Sequence, residues 1–335
     1  PRPGLASRLA YNLRLPLRFD PAPFDLVVGF DFDGCFVPRS VDAPPFLASL
    51  KGIAADEQRF EAGTARARLC SQAAMEAWSV ARADAVVVPS RYSAGWARRA
   101  YGAPADRTGV VPEGIDLGRW GLGSGPDAGA PDPGGADRGP VILSVARQYR
   151  RKRTGLLIDA VARLVRDGVP ARLRVIGGGP ELERLRARAA ASGLGGRVRF
   201  DGDRPPDEVR EAYRDADLFC LPSVQEGFGI VFLEAMAAGL PVVACRAGAA
   251  PEVLVEGETG LLAEPDDRLS LARTLRPLLR RPDLRRSMGA RGRRRAARFG
   301  WPQVARRFLS TCRRLLPNLP SRAPRVVRRG SNERC

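Results

Sequence analysis

From residue 140 onward, short apolar runs alternate with amphipathic stretches; the runs lie at about 140–145, 171–176, 197–200, 217–221, 241–245 and 260–263. Strand alternating with helix in this way is the pattern of a parallel, doubly wound α/β sheet. Such a sheet binds ligands where loops leave the carboxyl ends of its strands, so chemistry-bearing residues are sought there. One of these loops opens the stretch from Ser223 to Gly239. Between Gly229 and Ala238 every residue is apolar or small except Glu234, which reads as a short helix buried on all sides and carrying one carboxylate. A buried carboxylate needs a specific partner, either a protein group or a ligand. Eight residues earlier, Glu226 precedes Gly227, Phe228 and Gly229, whose amides read as the free N–H groups of a helix N-terminus, a ready phosphate site. At about 1.5 Å per helical residue, the two carboxylates stand roughly 12 Å apart, a span that suits a nucleotide-sugar.

Two further loops carry chemistry. The first strand of this sheet runs into Ser144-Val-Ala-Arg147-Gln-Tyr-Arg-Arg-Lys152, in which Arg147 offers a bidentate fork and Lys152 a point charge, both suited to a diphosphate. Lys152 is conspicuous because 53 of the 55 basic residues are Arg, the other lysine being Lys51. The second strand runs into Gly177-Gly178-Gly179-Pro180. A dinucleotide fingerprint needs a third glycine where Leu182 stands, so the nicotinamide-dehydrogenase reading fails. Histidine is absent, which removes the commonest general base and metal ligand.

Together these residues carry a resemblance. Glu226-Gly227-Phe228-Gly229 followed by Glu234 resembles the carboxylate pair, eight positions apart, of the retaining family 4 glycosyltransferases, which have the GT-B fold. Arg147 and Lys152 match that family's Gly-Arg…Lys-Gly loop, although Ala146 and Arg153 replace its usual glycines, and Gly177 to Pro180 resembles its Gly-x-Gly-Pro turn. The resemblance covers about residues 85–310 and is most specific over 141–264. It implies two Rossmann-like doubly wound parallel-sheet domains facing a cleft. It further implies metal-independent, retaining transfer of a hexose from a UDP-, GDP- or ADP-sugar to an acceptor hydroxyl, without a cofactor. Glu226, Arg147 and Lys152 would be catalytic. Gly178, Gly179, Gly227, Phe228, Gly229, Ile230 and Glu234 would bind the donor, with Glu226 on its sugar and Glu234 on its ribose.

The resulting organisation is a first, acceptor-side domain over 1–117, a Gly/Pro-rich linker over 118–139, a nucleotide-sugar domain over 140–298, a crossing helix over 299–316 and a basic tail over 317–335. A short Arg/Leu-rich piece precedes the first strand, Phe24–Phe30, and no glycine-rich loop does, so the first domain is expected to be incomplete at its N-terminus. Lys51 stands where the family commonly has a histidine. Lys51, Asp56 and Glu57 read equally as acceptor-orienting groups or as a solvated helix start. Asp31-Phe32-Asp33-Gly34 reads as a strand-end turn lining the cleft, with Asp33 on the acceptor side. It also resembles the nucleophile motif of haloacid-dehalogenase-like phosphatases, a reading that requires an acidic metal pair for which Asp266-Asp267 is the sole candidate. Another alternative is a degenerate module that binds a nucleotide-sugar or a partner without turnover.

Composition bounds the setting. Residues 268–335 hold 21 Arg against Asp283 and Glu333, a net of +19, whereas residues 1–267 balance to −1. A cationic end of this kind suggests peripheral association with an anionic membrane and a lipid-linked or cell-envelope acceptor; no basic-aromatic motif points to nucleic acid. Six widely spaced cysteines and no apolar run of about 18 residues point to a reducing, cytoplasmic location, on the inner face of the membrane if membrane-bound.

Overall fold

The computed structural model describes residues 5–120 and 139–319, so most of the expected linker and basic tail lies outside the described residues. In chain order the first half holds α1 (Leu5–Arg18), β1 (Val27–Phe30), β2 (Phe46–Ser49), α2 (Ala54–Glu57), α3 (Gly63–Arg82), β3 (Ala85–Val88), α4 (Arg91–Tyr101) and β4 (Thr108–Val110). The second half holds β5 (Val141–Val145), α5 (Thr154–Arg166), β6 (Arg172–Ile176), α6 (Leu182–Ala191), β7 (Val198–Gly202), α7 (Pro206–Arg214), β8 (Leu218–Leu221), α8 (Ile230–Ala237), β9 (Val242–Cys245), α9 (Ala250–Val253), β10 (Gly260–Ala263), α10 (Arg268–Arg280), α11 (Pro282–Ala296) and α12 (Trp301–Leu315).

The strands form two all-parallel sheets, ordered β1-β2-β3-β4 and β10-β9-β8-β5-β6-β7. Runs such as Leu218-Phe-Cys-Leu221 and Val242-Val-Ala-Cys245 are apolar at every position because helices cover both faces of the sheet. On one face Leu157, Ile158 and Val161 of α5 pack with Leu271 and Leu275 of α10; on the other, Tyr213, Phe219, Phe232 and Met236 form the core.

Two expectations about the Glu226–Glu234 stretch are corrected. The helix begins only at Ile230, after Gly229 turns left-handed at φ 88°, so Glu226 lies in the preceding loop and helical rise does not set its distance from Glu234. Nor is α8 buried on all sides. Ile230 is exposed, and Val231, Glu234 and Ala238 are half-buried, which leaves one helical stripe open while Phe232, Leu233 and Met236 fill the core.

The helix α12 returns to the first sheet, where Val304, Cys312 and Leu316 pack with Leu47, Val87 and Val111. A side chain at Gly109 would collide with Thr311 of this helix. Trp301 is half exposed, its indole lying over Gly114, where a Cβ would stand 2.6 Å away. Where the chain leaves the first sheet and where it comes back, the two passes run parallel, the Ile115 amide donating to the Phe299 carbonyl at 2.9 Å. The Arg/Leu-rich piece at the start forms α1, with Asn12 and Leu15 as its buried residues.

Inside the first domain, Glu76 of α3 is fully buried and accepts hydrogen bonds from the Ala54 amide (3.0 Å), Tyr101 hydroxyl (2.6 Å) and Gln72 (2.8 Å). Burial outweighs these donors and pushes its carboxyl up to about 7. The folded state then holds a proton that the unfolded chain releases near the ordinary glutamate range, about 4.3. Stability should therefore fall as pH rises from about 4.5 to 7 and level off above. Denaturant unfolding at pH 5 to 8 checks this: Glu76→Gln, which keeps an acceptor but no charge, should flatten the slope.

Candidate active site

In the second sheet β5 lies between β6 and β8, and the strand order reverses there. The loops leaving β5 and β8 turn to opposite sides and leave a crevice at their carboxyl ends. Lys152 comes from the first loop and Glu226 from the second, and Lys152 Nζ meets Glu226 Oε1 at 2.5 Å, each side chain about one-eighth exposed. A backbone bond from the Val224 amide to the Arg151 carbonyl (3.0 Å) ties the two loops together. Behind Glu226, Gly248 adopts φ +58° and presses so close that a Cβ would stand 2.8 Å from the Glu226 nitrogen. The Glu226 carbonyl accepts the Ala249 amide at 2.9 Å. These contacts hold the carboxylate toward the crevice by its backbone.

Among the described residues the amides of Gly227, Phe228 and Gly229 donate to no protein acceptor, whereas the Gly227 carbonyl accepts both Ser90 Oγ (2.7 Å) and Ser93 Oγ (3.0 Å). The Phe228 ring turns inward against Phe299 at 6.0 Å, so only its backbone remains for a ligand. Gly179 packs against the other loop, where a Cβ would lie 2.6 Å from the Gln148 nitrogen. The Gly178 amide donates to Asp203 Oδ1 at 2.7 Å. Arg147 is exposed, stacks over Tyr149 at 5.7 Å and pairs with no carboxylate among the described residues.

The partner that Glu234 needs is Tyr213, whose hydroxyl donates to Oε2 at 3.0 Å; Oε1 accepts nothing from the described residues. Burial raises the Glu234 carboxyl above its ordinary range, and the Tyr213 hydroxyl offsets part of that rise. Tyr213 is fully buried, edge-on to Trp120 at 5.3 Å and stacked with Phe219 at 5.6 Å, which fixes its hydroxyl.

The first domain supplies the facing wall. Glu57 and Glu61 both pair with Arg151, at 3.1 and 3.2 Å. Burial raises the Glu57 carboxyl, Arg151 and Lys152 counter this, and Glu226 and Asp31 add to it, so Glu57 feels the Lys152–Glu226 pair directly. Lys51 Nζ meets Glu113 at 2.9 Å and lies 5.6 Å from the Phe30 ring centre. Asp56 is no solvated helix start: it is fully buried, accepting from Tyr92 Oη and pairing with Arg59 at 3.1 Å. Asp33 is taken up by Arg8 (2.9 Å) and Asn12 (3.2 Å). Asp31, at φ +56°, accepts the Lys51 amide at 2.8 Å. Burial raises its carboxyl, with the Lys51 amide and Arg8 opposing. The acidic pair that a phosphatase would need is committed elsewhere, Asp266 to Arg153 (2.6 Å) and Asp267 to the first amides of α10.

The second sheet thus gathers Arg147, Lys152, Gly178, Gly179, Glu226, Gly227 and Gly229 in the loops at one edge, with Ile230 and Glu234 on the helix α8 that follows and Glu57 facing the Lys152–Glu226 pair. Sequence reasoning missed Tyr213, Arg151 and Glu252. The Glu252 carboxylate accepts the Arg91 and Tyr92 amides (2.8 and 2.7 Å), so one domain caps a helix of the other. Arg151→Gln would leave Glu57 and Glu61 facing each other unpaired. A loss of about 3 kcal/mol is expected in chemical unfolding, against less than about 0.5 kcal/mol for the exposed Arg186→Gln.

The fold and this crevice are those of GT-B glycosyltransferases. The sequence matches the family model described as Glycosyl transferases group 1 over residues 131–295 and that of Glycosyltransferase Family 4 over residues 1–119, and the chain belongs to this family. It is 36% identical over 239 residues to a D-inositol 3-phosphate glycosyltransferase of Nocardia farcinica, a match covering 69% of this chain and 53% of that protein. The chain spans little more than half the length of such curated relatives. Among solved structures it resembles sucrose-phosphate synthase of Thermosynechococcus elongatus, with TM-score 0.75, 25% identity and coverage of 95% and 80% of the two chains. Anabaena HepE in complex with UDP and glucose gives a TM-score of 0.69 at 22% identity, with coverage of 92% and 83%.

Proposed function

We propose that this protein transfers a hexose from a nucleotide-diphosphate-sugar to an acceptor hydroxyl, with retention and without a metal ion. The observation that carries this reading is the Lys152–Glu226 pair at the strand-order reversal, beside three amides that donate to no acceptor among the described residues. As the donor breaks, negative charge builds on the departing diphosphate. Lys152, Arg147 and the amides of Gly227, Phe228 and Gly229 are the groups to stabilise it, fixed before the reaction and so requiring little reorganisation. Glu226 holds hydroxyls of the sugar, and the free Oε1 of Glu234 receives the ribose. The acceptor hydroxyl attacks from the face that the diphosphate leaves, and a phosphate oxygen takes its proton, which accounts for transfer in a chain without histidine.

HepE, solved with UDP and glucose, and the Nocardia farcinica relative, named for D-inositol 3-phosphate, support a nucleotide-sugar donor and a phosphorylated acceptor. Among the described residues no helix is long and apolar enough to cross a membrane. The net charge of residues 268–335 favours a peripheral position on an anionic, cytoplasmic membrane face.

Screening UDP-, GDP- and ADP-sugars by melting temperature and then by product formation tests the reading. Glu226→Gln and Lys152→Ala should each lower kcat by about 10²–10³-fold. Glu234→Gln should chiefly raise the donor KM. Proton NMR should show the anomeric configuration of the donor kept in the product, and activity should survive EDTA. Tight donor binding with neither transfer nor hydrolysis would leave only a binding module.

A further inference from the structure

The second domain has another concavity, at the opposite end of the same sheet. Where β5, β6 and β7 begin, Gly139, Val141, Arg172, Arg174, Arg197 and Arg199 line a cavity of about 410 Å³ whose remaining edge is Asp215 and Asp217. The register pairs Arg174 directly with Arg199 across β6 and β7, and alternation puts Arg172 on the same face as Arg174; Arg197 ends the turn that leads into β7 and lines the same cavity. Like charges facing one another across parallel strands are unfavourable without a counter-charge. Asp201, only 2% exposed at its side chain, supplies part of one: it holds Arg174 at 2.7 Å and also pairs with Arg199, orienting both guanidinium groups. Asp217 is committed to Arg285 (3.1 Å) and to the Val141 amide (2.8 Å), and Asp215, largely exposed, stands 3.8 Å from Arg174. Arg172 and Arg197 pair with no acceptor among the described residues. The open backbone at Gly196, where a Cβ would touch nothing within 4 Å, leaves room beside them.

We propose that this cavity is a second anion site, which takes a phosphoryl group between Arg172 and Arg197 with Arg174 and Arg199 as its pre-oriented wall. Two guanidinium forks without carboxylates are matched to a phosphate's oxygens. The volume admits a phosphorylated small molecule, and the same forks would hold the phosphate of a lipid headgroup. The site stands at the amino ends of the strands, so it is separate from the crevice at their carboxyl ends and independent of the reaction proposed there.

The test uses the full chain at fixed ionic strength; anion bound in the crevice is common to all variants and cancels in their comparison. Calorimetric titration with sn-glycerol 3-phosphate and with inorganic pyrophosphate forms one arm. Co-sedimentation with phosphatidylglycerol vesicles forms the other. Arg172→Gln/Arg197→Gln should lose about tenfold or more in affinity in at least one arm, and Arg66→Gln/Arg68→Gln, an equal loss of charge at exposed positions of α3, should not. Loss in the first arm assigns the site to soluble phosphates, and loss in the vesicle arm alone assigns it to lipid headgroups. An unchanged unfolding midpoint without anion shows that the variant is folded. No binding in either arm, or equal losses in both double variants, overturns the site.

Discussion

A parallel sheet whose strand order reverses must part its loops at one place, and the rest of this molecule is arranged around that parting. Two oppositely charged side chains meet across it, from loops that share no secondary structure. Each is largely withdrawn from water, so each needs the other: a lone charge in that position would be strongly disfavoured. The glycines around the crevice serve the same end. Gly179 and Gly248 let backbone approach backbone behind the pair, and neither position has room for a Cβ.

The facing domain reaches this region through a small number of directed polar contacts. Serine hydroxyls hold the carbonyl of Gly227, an arginine spans two glutamates, and Lys51 and Asp31 are braced by their own neighbours. Polar contacts of this kind depend on orientation, whereas the contact between α12 and the first sheet is an apolar seam. The first set fixes the geometry of the cleft, and the second keeps the halves together.

What the sequence made legible follows from how local each cause is. Strands of the second sheet could be read directly because burial on both faces makes them apolar at every position, and the anomaly of Glu234 could be read because one carboxylate among small and apolar residues needs a partner. Its partner could not be: Tyr213 is 21 residues away on another helix and looks like any core aromatic. The open stripe of α8 was equally hidden, since Ile230 and Ala238 have the composition of buried residues whichever way they face. Asp56 beside Glu57 suggests a solvated helix start, yet Tyr92 and Arg59 converge on it and enclose it. Contacts between domains leave no periodicity at all, which is why Arg151 and Glu252 were passed over. The helix α1 carries Pro16 within it, a residue that weakens any helical pattern.

The capping of α4 carries a thermodynamic meaning. Ser90, just before the helix, satisfies the Ser93 amide, but the amides of Arg91 and Tyr92 are satisfied by a carboxylate 160 residues further along the chain. The first turn of α4 is thus complete only while the two halves are together, and separating them strips about 1 kcal/mol of capping from that turn. Ordering of the helix end and approach of the domains are linked equilibria: whatever draws the halves together also quiets the start of α4, and fraying there reports their separation.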